Sequence, residues 1–146
     1  MILDSQLSLS AAQSIAASAG DVVSTNIYDT GATADVGIGQ DLYLVIQTVA
    51  AVTSGGSATV QFVLQTDDNS SFSSAREFLL TGAVALASLT ANTVQYRGRL
   101  PIGLERYVRV VYRIATATTT AGTATAFLVH DLQHAPPAAT TVPSVK

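Results

Sequence analysis

The chain holds 146 residues, 15.0 kDa, which is room for one domain. Only 12% of residues are charged, and the absence of Cys removes disulfides, thiolate metal sites and a cysteine nucleophile. A net charge of -3 argues against a nucleic-acid binder, and no apolar run reaches the ~18 residues of a membrane helix.

In chain order, Met1-Ile2-Leu3-Asp4 has no basic stretch ahead of an apolar one, so no secretory signal is expected. A short strand is expected near residues 6–9. The Ala-rich segment 11–17 fits a short helix, with Ser10 as N-cap and Gly20 as stop, or equally a loop. Residues 25–29 read as a strand. Leu42, Leu44 and Ile46 alternate with Tyr43, Val45 and Gln47, and both sets are largely apolar. That strand should therefore be central or lie at an interface. Gly55-Gly56 marks a hairpin turn into the next strand, where Val60, Phe62 and Leu64 alternate with Gln61 and Gln65.

Asp67-Asp68-Asn69 reads as a polar turn before a strand at 76–81. Val94 and Tyr96 then alternate with Gln95, Arg97 and Arg99. Pro101 and Gly103 end that strand. Val108, Val110, Tyr112 and Ile114 alternate with Tyr107, Arg109, Val111 and Arg113, which is a half-buried strand with two arginines on its outer face. A Thr/Ala loop at 116–122 leads to a last strand at 123–132. About eight short strands at regular spacing predict an all-β fold: an antiparallel, jelly-roll-like β-sandwich over residues 1–134. The Pro/Ala/Thr-rich tail at 135–146 can bury little.

The chemical motifs are weak. His130 and His134 have the spacing of a zinc-binding pair, but that spacing works on a helix. On a strand the two rings would stand about 13 Å apart, so no metal is expected there. Counted from Asp67 as a calcium loop, the sixth and twelfth positions are Phe72 and Phe78, where Gly and Glu are needed. Gly37-Ile38-Gly39 lacks the third glycine of a dinucleotide loop. Asn69-Ser70-Ser71 matches a glycosylation sequon, which is common by chance. No serine sits in a nucleophile elbow. Glu77 and Glu105 each stand next to an arginine, which disfavours a glycosidase pair. No enzyme and no cofactor are expected.

Charge is divided along the chain. Residues 1–75 hold seven Asp and no Lys or Arg, whereas 76–146 hold six Arg and one Lys against three acids. The simpler reading is that the halves interleave and the charges pair across strands. The functional reading places Arg97, Arg99, Tyr107, Arg109 and Arg113 on one basic strip, if their two strands are neighbours. That strip would contact a carboxylate-bearing partner protein or a second subunit, using the planar fork of Arg.

Whole segments look familiar in their order: Met1-Ile2-Leu3-Asp4-Ser5-Gln6, Ser24-Thr25-Asn26-Ile27-Tyr28-Asp29, Gly55-Gly56-Ser57-Ala58-Thr59-Val60-Gln61-Phe62, Leu64-Gln65-Thr66-Asp67-Asp68-Asn69, and Leu100-Pro101-Ile102-Gly103-Leu104-Glu105-Arg106-Tyr107-Val108-Arg109. From Met1 to about Gln133 the chain resembles the capsid cement proteins of tailed double-stranded DNA bacteriophages. The resemblance implies a small jelly roll on the outer surface of the virion head, made in the host cytoplasm, that bridges neighbouring major capsid proteins against the pressure of packaged DNA. It also implies self-association, as a homodimer or else a trimer, with neither nucleic acid nor membrane as a partner. The rival expectation is a carbohydrate- or receptor-binding jelly roll of a tail or fibre. Such sites stack sugars on aromatic faces, and this chain has no Trp.

Overall fold

The computed structural model describes residues 5–31 and 41–130. The Gly37–Gly39 turn, His134 and the tail from 135 onward lie outside the described residues, as does the domain boundary expected at 134.

Among the described residues, ten antiparallel strands form two facing sheets. They are β1 (Ser8–Ser14), β2 (Gly20–Val23), β3 (Tyr28–Asp29), β4 (Tyr43–Ser54), β5 (Thr59–Asp67), β6 (Arg76–Leu79), β7 (Val84–Ala85), β8 (Thr93–Arg99), β9 (Tyr107–Ala115) and β10 (Thr119–Val129). The first sheet has the order β1-β10-β4-β8 and the second β2-β9-β5-β6, with β3 beside β9 and β7 beside β5. Setting aside the two-residue strands β3 and β7, eight principal strands remain in a jelly-roll order. The expected β-sandwich is therefore the fold.

The expected core positions face one another across the sandwich. Val60, Phe62, Leu64, Val108, Val110, Tyr112 and Ile114 of the second sheet pack with Leu9, Leu44, Ile46 and Leu128 of the first. The Phe62 and Tyr112 rings meet edge to face, 5.9 Å between centroids and 89° between planes. Each such ring, fully buried, contributes roughly 1.5–3 kcal/mol. Tyr112 also reaches across the sandwich, where its hydroxyl hydrogen-bonds to the Ser10 hydroxyl. Burial pushes the Tyr112 phenol up to about 12, and the Ser10 hydrogen bond opposes that rise.

Several segments differ from the sequence reading, and of the strand expected at 25–29 only Tyr28–Asp29 pairs, with β9. Residues 11–17 are neither helix nor plain loop, because β1 runs through Ser14 and Ile15 is buried beyond it. Pairing with β10 and burial of Leu9 override the helical preference of alanine. Ala12 sits at φ 46 within a register shift, and its N–H donates to the Thr125 hydroxyl at 2.9 Å. The Thr/Ala stretch 116–122 is largely strand, since β10 begins at Thr119. Gly122 makes that possible: its φ is 134°, and a Cβ there would lie 2.9 Å from the Val52 side chain. Finally, β2 and β7 carried too few residues to show a period.

The strand from Tyr43 is central in its sheet, between β10 and β8. Its inward residues join the main core. Outward, Val45 meets Phe127, Val129 and Tyr43 in a second apolar cluster.

Candidate functional site

The two arginine-bearing strands are not neighbours. β8 lies at the edge of the first sheet and β9 lies inside the second, so the single basic strip does not form. The connection between them crosses the sandwich because Leu100 and Leu104 both bury in the core.

On β9 the arginines are held by the protein's own side chains. Arg113 donates from Nε and Nη2 to the two Asp21 oxygens at 2.8 and 2.9 Å. It also donates from Nη2 and Nη1 to Glu77 at 2.8 and 3.2 Å. Glu77 Oε1 accepts a further bond from Gln65 Nε2 at 2.8 Å. Gln65 Oε1 in turn accepts from Arg109 Nε at 2.8 Å. The Arg109 guanidinium lies 4.0 Å from the centre of the Phe72 ring.

These contacts run continuously from β2 through β9, β6 and β5 to the following turn. Beneath them, Val111 and Val63 are cross-strand partners and are 0% exposed although they point away from the core. The register extends that apolar row to Val23 on one side and Leu79 on the other, 43% and 63% exposed. The polar network thus roofs the middle of an apolar row and leaves its ends open. Hydrogen bonds from Arg113 and then Gln65 hold the Glu77 carboxyl below its ordinary value, and the two carboxylates raise Arg113. Burial lowers Arg109.

Other charges pair between the two halves of the chain as the simpler reading expected. Arg106 grips Asp29 with two bonds of 2.8 and 3.0 Å, which lowers the Asp29 carboxyl, and it lies 5.0 Å from the Tyr107 ring centre. Arg99 meets Asp41 at 2.6 Å. The Asp67 carboxylate is spent on its own turn, accepting the Asn69 and Ser74 amides at 3.0 and 2.8 Å. These amides hold the carboxyl below its ordinary value despite burial. His130 is exposed just beyond β10.

Arg97 stands apart. It is exposed on β8, opposite Val45 in register and beside the outer apolar cluster of the first sheet. Among the described residues it has no ion pair and no side-chain hydrogen bond. Sequence reasoning grouped it with Arg109 and Arg113 because alternation reports which face a residue takes, not which sheet it joins.

The two ends of the sandwich also differ. One end gathers the Asp29–Arg106 and Asp41–Arg99 pairs and the Asp67 turn. The other is built from residues 14–20, 50–60, 80–92 and 114–120, which contain no charged side chain. Main-chain and hydroxyl contacts bind these loops together: Thr119 N to Ala17 O at 2.9 Å, Ser54 Oγ to Thr118 O at 2.6 Å and Val52 N to Leu89 O at 2.9 Å. Their exposed side chains are mostly Ala, Ser, Thr and Gly.

A protein-family model described as Bbp16 matches residues 9–128. No curated protein matches the chain.

Proposed function

The chain belongs to the Bbp16 family, and from that premise we propose that it is a non-enzymatic structural protein of a phage particle. In this reading it binds the outside of the head, cements neighbouring major capsid proteins and self-associates, a homodimer being the expected unit. The observation that carries the reading is the charge-free end of the sandwich. Exposed Ala, Ser, Thr and Gly on interlocked loops can press against a protein surface with little polar group to desolvate. Many copies each making a modest contact then hold a shell through avidity. Two further facts support it. The charged groups on the outer face of the second sheet, Asp21, Arg113, Glu77 and Arg109, are already engaged with one another or with Gln65. The ordered segments that resemble capsid cement proteins also span nearly the whole chain.

The test is binding to purified expanded heads that lack this protein, made by the phage that encodes it. Saturable decoration of the outer surface, with heads that withstand higher temperature before rupture, is the expected result. Bare heads together with specific binding on a glycan array would replace this reading with the receptor-binding one. Sedimentation of the free protein reports whether the homodimer precedes assembly.

A further inference from the structure

Four borders end the two sheets, and three of them are blocked or short. The free side of β1 is laced to the segment after β2: Asn26 donates from its amide to Leu9 O and from Nδ2 to Ser8 O, both at 2.9 Å, and Gln13 binds Val23 O and the Thr25 amide. β2 and β6 have four residues each, and β3 and β7 only two. The fourth border is β8, with seven residues, which among the described residues pairs with β4 alone. Leu100 N donates to Leu42 O at 2.9 Å, and that bond sets the alternation along the ladder. Gly98 and Tyr96 turn their main-chain groups toward β4, so Arg97 turns its own N–H and C=O to the open side.

We infer that β8 is a strand-addition edge that takes an extended, carboxylate-bearing segment from a neighbouring chain of the shell, an assignment that rests on the structural reading above. Two features converge at Arg97: outward main-chain groups, and an exposed guanidinium without a partner among the described residues. An added strand gains main-chain bonds from the first and places a carboxylate beside the second. Until such a strand arrives, the charge protects the edge from indiscriminate pairing. A second copy of the chain fits less well. A two-fold through Tyr96 sets Arg97 opposite Gln95, and one through Arg97 sets two cations face to face.

The experiment uses the full chain and undecorated expanded heads. Hydrogen exchange of the 93–100 peptide should slow when wild-type protein binds the heads. Arg97→Pro removes only an outward N–H, and Arg97→Glu reverses the charge; each should weaken decoration by about tenfold or more while the melting temperature stays near wild type. If Arg97→Pro fails to fold, Arg97→Glu and the exchange measurement carry the test. Wild-type decoration with unchanged exchange and unchanged Arg97→Glu affinity overturns the edge assignment and leaves the structural reading standing. Heads left bare by wild-type protein overturn both. Slowed exchange of this peptide in free protein as its concentration rises assigns the edge to a second copy and overturns the carboxylate-bearing partner.

Discussion

Arg113 and Arg97 both point outward from strands with the same alternating pattern, yet they stand in opposite circumstances. Arg113 lies inside its sheet, with Asp21 on β2 and Glu77 on β6 in reach, and its hydrogen bonds to both close over Val63 and Val111. Arg97 lies on the last strand of its sheet, with a neighbouring strand on one side only among the described residues. The difference teaches that position within the sheet, rather than residue type, decides whether an outward arginine stabilises the fold or is left for a partner.

The largest effect separating the two regions should come from a buried charge. Val111→Asp places a carboxylate on the fully covered row beneath the network, and unfolding by urea should show a loss of about 3 kcal/mol or more. Val94→Asp on β8 replaces a residue that is 42% exposed and should change stability by less than ~0.5 kcal/mol. Equal losses at both sites would break the comparison.

Removing the arginines themselves gives a smaller contrast. Arg113→Ala frees Asp21 and Glu77 and uncovers Val63, and it should cost about 1–2 kcal/mol. The network is about one-third exposed, which keeps the figure below that of a buried ion pair. Arg97→Ala should leave the urea midpoint within error. A measurable loss there would mean that Arg97 has a structural partner.

The smallest effect is in the pH profile. Glu77 has a folded pKa below its ordinary 4.5, so its share of stability is complete above that value and is lost as pH falls through the lower folded value. Glu77→Gln should therefore flatten the decline of stability below about pH 4.5, measured by thermal unfolding across pH 3 to 7. Arg97→Ala should leave that decline unchanged. Tyr112 has the opposite sign: its raised pKa stabilises the fold below pH 10, and that share is lost as pH climbs from 10 toward about 12.

Much of the site was legible only in part. Alternation along residues 107–114 and 60–65 named the core face of β9 and β5 correctly, because a half-buried strand repeats every two residues. The same alternation marked Arg97, Arg99, Arg109 and Arg113 as outward. It could not say that a crossing of the sandwich separates the first two from the last two. Nor could it show that Val63 and Val111 are covered, since the roof comes from Asp21 and Glu77, each far from Arg113 in sequence. Segment 11–17 was misread because local alanine content outweighed a pairing with residues more than a hundred positions away.

By itself the sequence determined the class of fold, the inner face of its long strands and the division of charge into an acidic first half and a basic second half. Those properties are local or compositional, and each residue declares them through side-chain type and spacing. The tertiary structure alone decided the order of strands in each sheet, and hence which arginine meets which carboxylate. Strand order is fixed by contacts between distant segments, whose joint burial of Leu9, Phe62, Tyr112 and Leu128 outweighs any local preference. That same order placed β8 at a border of its sheet, where among the described residues Arg97 has a strand on one side only.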